Sequence, residues 1–106
     1  MLDRFLALPA PPTAITTSND YIALNIMNVA AAMGVDIPGT FSLSGFDGLS
    51  VRSYFTPSLM TVAQDFEGMG RSAVALLDCH IRNPGCKAEE TRLPVRLVDG
   101  DSVKAH

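Results

Sequence analysis

The chain is short of cysteine and histidine, with only two of each among its 106 residues. Cys79 and Cys86 stand in an isolated C-x6-C arrangement without ordered Cys or His partners, so no zinc-ligand pattern exists, and so few cysteines cannot make a disulfide scaffold. Two reduced thiols are the expectation. Clustered positive charge is also missing. The eight Lys and Arg are scattered and the formal net charge is −3, so the chain carries no electrostatic footprint for direct nucleic-acid binding. Long apolar runs are lacking as well. The opening MLDRFLALPAPP has a few apolar residues interrupted by Pro9 and no small-residue cleavage pattern. It reads as neither signal peptide nor membrane anchor, and a cytoplasmic location is expected. Finally, no phosphate loop, no G-x-S-x-G and no serine paired with a base is found, while His80 falls on a helix and His106 is the final residue. The sequence gives no reason to expect an enzyme, a cofactor or a metal site.

What is present is apolar. Hydrophobic residues make up 47% and charged residues 18%, with a mean hydropathy of +0.21. That is high for a soluble domain of this size, and it points to apolar surface meant for another element or subunit. The length suits one domain at most.

Short strands alternate with helices. Residues 3–8 read as the end of a helix stopped by Pro9, Pro11 and Pro12. Ala14–Thr17 is a β-branched strand. A helix follows from Asn19 or Asp20, both suited to an N-cap, to Met33, with Gly34 as its stop. This helix is apolar on two faces: Ile22, Ile26, Val29 and Met33 form one stripe, and Leu24, Met27 and Ala31 another. One face is expected on a sheet and the other on a second helix or subunit. Strands are expected at Phe41–Ser44 and Leu59–Ala63, with a loop or irregular helix at Phe46–Thr56 between them. Next comes a helix from an Asp65 cap to Asn83-Pro84-Gly85. Leu93, Val95 and Leu97 alternate as a last strand before an Asp99-Gly100 turn. The pattern is that of an α/β fold with a mainly parallel sheet.

Three polar residues, Asn19, Asp47 and Gln64, sit where strands run out into loops or helices, which is where open α/β sheets bind ligands. Each also has an ordinary reading. Asn19 and Asp20 can cap a helix, Asp47 can serve the turn Gly45-Phe46-Asp47-Gly48, and Gln64 can simply be solvated. As ligand groups, a carboxylate and two amides would suit hydroxylated compounds.

Five motifs carry a family pattern: P-T-A-I-x-x-S-N-D-Y-I-A-L, G-F-D-G, R-x-Y-F-T-P-x-L-x-T-V-x-Q-D-F, M-G-x-x-A-V-x-L-L and L-P-V-R-L-V. Over residues 5–103 the chain resembles the LacI/GalR family of bacterial transcription regulators, specifically the C-terminal portion of their effector-binding domain. The resemblance implies part of a periplasmic-binding-protein-like pair of α/β lobes holding a small sugar or nucleobase. It implies Asn19, Asp47 and Gln64 as effector contacts, with Arg52 at the cleft rim. It also implies a homodimer, for which Leu24, Met27 and Phe55 are the interface candidates and Leu24→Asp the expected disrupting change. Met60 stands where the family commonly has Thr, Asn25 where it has Gly, and Asp99-Gly100-Asp101 replaces the usual terminal stretch.

The organisation expected is a helix remnant and Pro-rich loop over 1–12, a βαβ segment of the C-terminal lobe over 13–65, a helix over 66–83 and a loop and final strand over 84–106. In the family the 66–83 helix packs on an N-terminal lobe, and DNA is bound by a headpiece; neither part is in this sequence. The helix face of Phe66, Met69, Ala73, Leu76, Leu77 and Ile81 is therefore expected to lack its partner. Such side chains contribute roughly 1.5–3 kcal/mol each when buried, so the chain alone is expected to be marginally stable and to bind neither effector nor operator tightly. A sugar-binding protein of a transport system shares the fold and similar polar positions, and it is the alternative.

Overall fold

The computed structural model describes residues 2–87 and 90–105. The alternation read from the sequence is realised as α1 (Leu2–Leu6), β1 (Ala14–Thr16), α2 (Asp20–Ala32), β2 (Ser42–Ser44), a 3₁₀ turn (Ser50–Tyr54), β3 (Thr61–Ala63), α3 (Phe66–Arg82) and β4 (Arg96–Val98). The chain divides into two units. One holds residues up to Ala63 together with those from Arg96 onward, and the other is Gln64–Val95. The expected segment 84–106 is thus split, its strand belonging with the first unit and its loop with the second.

In the first unit β1 pairs parallel with β2, from Ala14 opposite Ser42 to Thr16 opposite Ser44. Two isolated parallel bridges, Ser44 with Met60 and Asp47 with Ala63, carry the ladder on toward β3. β4 then pairs antiparallel with β3, Thr61 opposite Val98 and Ala63 opposite Arg96. The last strand is shorter than the alternation of Leu93, Val95 and Leu97 suggested. β3 offers only three residues for it to pair with, and Leu93 and Val95 fall in the second unit. Residues 58–60 hydrogen-bond to the turn after β4 instead: the Ser102 amide donates to Ser58 O, and the Met60 amide to Ser102 Oγ.

The core of this unit is Phe41, Leu43 and Leu59, covered by Leu2, Ala23, Leu24, Met27, Ala30 and Ile37. It decides which stripe of α2 faces inward. Leu24 and Met27 are each only 5% exposed, whereas Ile22, Val29 and Met33 are 43%, 47% and 45% exposed. Two interface candidates are therefore corrected. Leu24 and Met27 pack against the unit's own core, and Phe55 is half-buried against the same cluster. A helix apolar all round has no periodic signal to tell its two stripes apart.

In the second unit, Asp65 caps α3 by accepting from the Gly68 amide at 2.8 Å. Phe66, Met69, Val74, Leu77 and Ile81 are exposed on α3. The expectation of reduced thiols is overturned. Cys79 and Cys86 form a disulfide, their Cα atoms 6.4 Å apart. The Asn83-Pro84-Gly85 turn that ends α3 also folds the chain back on its last turn, which brings the two cysteines together.

Candidate functional site

The β1–α2 junction is built by short-range polar groups. Thr17 Oγ1 donates to Asn19 O and Ser44 O, fixing the exit of β1 against β2. Asn19 is extended and half-buried, and its Oδ1 accepts from the Ile22 amide at 2.9 Å, so it is the N-cap of α2. Capping engages the side-chain oxygen and leaves the Nδ2 hydrogens for another acceptor.

Asp20, whose side chain was expected only to help start the helix, is wholly buried. Its carboxyl accepts from Thr61 Oγ1 at 2.5 Å and from the Leu49 amide at 2.7 Å. Its backbone amide donates to Phe46 O at 2.7 Å. One residue thereby ties the start of α2 to the loop after β2 and to β3. Nothing local in the sequence marks this role, because an Asp in the first turn of a helix is common for dipole reasons alone.

The loop so anchored carries Asp47. Its amide donates to Val62 O at 2.9 Å, and its φ is +120°. A non-glycine residue there carries strain of about 1–3 kcal/mol, which persists only where surrounding contacts impose it. Gly48 completes the loop at φ +77°, and a Cβ on it would lie 2.4 Å from that of Ala63. Only glycine meets both demands.

The bond between the Asp20 amide and the Phe46 carbonyl thus joins the loop that carries Asn19 to the one that carries Asp47, after the parallel neighbours β1 and β2. Arg52 is placed differently. Its Nη1 donates to Leu59 O at 2.9 Å and to Asp99 O at 3.0 Å, so the guanidinium pins the 3₁₀ turn to the entry of β3 and to the turn after β4. Arg52 thus acts as a structural clamp, and its place at a ligand rim rests on the sequence resemblance alone. Gln64 follows Ala63 and opens the second unit. A trough of about 390 Å³ lies against the sheet of the first unit, with Ile15, Leu43, Val62 and Leu97 in its walls. Neither Asn19 nor Asp47 lines it, and its apolar walls suit a packed element better than a polyhydroxylated ligand. Among the described residues, no group of three His, Cys, Asp or Glu is arranged to hold a metal ion.

Short parallel strands followed by polar residues at their carboxyl ends give an open α/β lobe, a type of sheet that binds ligands at its strand ends. The model of the periplasmic binding protein-like domain matches residues 1–103, and the chain belongs to that family. It is 37% identical over 103 residues to a probable HTH-type transcriptional repressor, ExuR of Bacillus subtilis, spanning 97% of this chain and 31% of that protein. Among solved structures it resembles a LacI-family regulator from Enterococcus faecalis with bound ribose, at 32% identity and a TM-score of 0.86, over 95% of this chain and 37% of that one. A LacI-family regulator from Arthrobacter in complex with lactose matches at 28% identity and a TM-score of 0.72, over 87% and 35%. The chain thus spans about a third of the length of the proteins it matches.

Proposed function

We propose that this chain is part of the effector-sensing domain of a LacI/GalR-type transcriptional regulator, in which Asn19 and Asp47 hold hydroxyl groups of a small sugar or related metabolite. The observation that carries this is the strained Asp47, held beside the α2 cap by the Asp20 amide and Phe46 carbonyl. Strain maintained at a strand end, on a polar residue, is a feature of ligand sites. Asp47 supplies acceptors and Asn19 supplies donors, which together match a sugar hydroxyl's dual character. The assignment of Gln64 as a third contact rests on the sequence resemblance. The ribose and lactose held by similar regulators support a sugar-like ligand, and the repressor relatives favour a regulator over a transport protein.

In the protein that carries the complete effector domain, effector binding would alter DNA binding by a headpiece that this sequence does not contain, in the cytoplasm, by favouring one arrangement of two lobes. Titration calorimetry with ribose, lactose and related sugars tests the site in that protein. For whichever sugar binds, Asp47→Ala is expected to weaken affinity by about 10- to 100-fold, and Asp47→Asn by less, since an amide keeps one acceptor. Equal affinity of wild type and both variants overturns the assignment.

Self-association belongs to the same proposal, and the burial of Leu24 and Met27 moves its surface. The residues open for a second copy are Ile22, Val29 and Met33, while Ile26 of the same stripe is partly buried against the unit's own core. Val29→Asp is expected to shift sedimentation toward monomer while changing folding stability by no more than about 0.5 kcal/mol. Leu24→Asp, by contrast, would put a charge into the core and unfold the unit before it reported on assembly. Sedimentation of Val29→Asp unchanged from wild type removes this face from consideration.

A further inference from the structure

The Cys79–Cys86 disulfide belongs to the second unit and is not among the residues proposed to hold the effector. The turn it spans has hydrogen bonds of its own. The Asn83 amide donates to Cys79 O at 2.9 Å, the Cys86 amide to Asn83 O at 2.8 Å, and the Gly85 amide to Asn83 Oδ1 at 3.1 Å. Pro84 and Gly85 occupy the central positions of a β-turn, and Pro84 stands at the position where proline is favoured. The backbone hydrogen bonds of the turn thus hold the two cysteines near each other alongside the covalent bond. Both are half-buried on a surface segment, within reach of an attacking thiolate. Gly68 is the single buried residue among those of α3, so little packing resists local opening at the helix's far end.

We propose that Cys79 and Cys86 form a redox-responsive clip on the C-terminal end of α3, a second input to this chain that goes beyond effector sensing. Opening proceeds by thiol–disulfide exchange with a dithiol reductant. One thiolate of the reductant attacks a cysteine sulfur, the Cys79–Cys86 bond breaks, and a mixed disulfide forms. The reductant's second thiolate then displaces the remaining cysteine and leaves as a disulfide. Two electrons and two protons pass from the dithiol to the protein, which ends with two thiols. Closed, the clip holds the residues after Asn83 on the helix end; open, it leaves them held by the turn's hydrogen bonds alone.

The test equilibrates the full chain with mixtures of reduced and oxidised dithiothreitol. Thiols are then alkylated and counted by mass spectrometry, and amide hydrogen exchange is followed in each form. Both cysteines should become modifiable together, as one two-electron couple. Exchange at Asn83, Gly85 and Cys86 should rise about tenfold in the reduced form and equally in the Cys79→Ser/Cys86→Ser variant, with the amides of β1 to β4 unchanged. Cysteines that stay freely modifiable in oxidised dithiothreitol overturn the proposal. So does exchange that is the same in both forms, or that rises throughout the chain, because the bond would then be idle or a global staple.

Discussion

Replacing Asp20 with alanine is expected to destabilise the first unit by roughly 3 kcal/mol, without removing any residue proposed to touch the effector. The buried carboxyl accepts from the Leu49 amide and the Thr61 hydroxyl, and truncation leaves both donors without their partner. A hydrogen bond to such a group contributes about 1.5–3 kcal/mol, and an orphaned buried donor carries its own desolvation cost. Asparagine should fall between the two. Its oxygen can still accept from Leu49, and its amide can donate to Thr61 Oγ1, which already accepts from the Gly48 amide. Denaturant melts of wild type, Asp20→Asn and Asp20→Ala should therefore rank in that order. Thr61→Val should be less than additive with Asp20→Ala, because both remove the same bond. Since Asp20 also steadies the loop that holds Asp47 at positive φ, Asp20→Ala should also weaken the effector binding proposed for Asp47. Full additivity with Thr61→Val would show that the buried pair does not act as one unit.

The second large effect is expected at Gly100. A Cβ there would stand 2.4 Å from Met60 N, 2.5 Å from Leu59 C and 2.6 Å from Ser58 O, all of them backbone atoms with no rotamer to escape into. The turn after β4 lies directly on the segment that enters β3. Ser102 fastens it there through both its backbone groups, donating to Ser58 O and accepting from the Leu43 amide at 2.8 Å, while its hydroxyl donates to Leu43 O at 2.6 Å. Gly100→Ala must push these strands apart or expel the turn. The expected loss is about 3 kcal/mol, the upper end for overpacking. For a unit of this size that corresponds to a fall in Tm of roughly 12–24 °C. A melt within about 3 °C of wild type would mean that this turn is not seated on β3 as described.

Both predictions concern contacts that the sequence shows only in part. Helix limits were readable because caps are local: Asn19 and Asp65 each reach an amide three residues on. The strands' order of appearance was readable from equally local signals. What escaped were pairings across long stretches of chain. Asp20 meets Thr61 over 41 positions and Ser102 meets Leu43 over 59, and no spacing rule links them. Arg52 was readable as a charged residue beside a loop, but not as a clamp on two carbonyls. The inward stripe of α2 was undetermined because both stripes are apolar. The disulfide escaped for a different reason. Its two cysteines were visible, but composition argued from scarcity, while the turn between them settled the outcome.

The order of the strands also bears on how the protein is made. β3 is finished at Ala63, yet its outer neighbour starts at Arg96, on the far side of the whole Gln64–Val95 unit. At about 5–20 residues per second, a ribosome needs roughly 2–6 s to cross that interval. During that time the outer edge of β3 has no neighbour from its own chain. An unpaired strand edge recruits other strands, so the nascent chain passes through a window in which it is open to partners, including chaperones and other copies of itself. Codon choice across the second unit would set how long that window lasts.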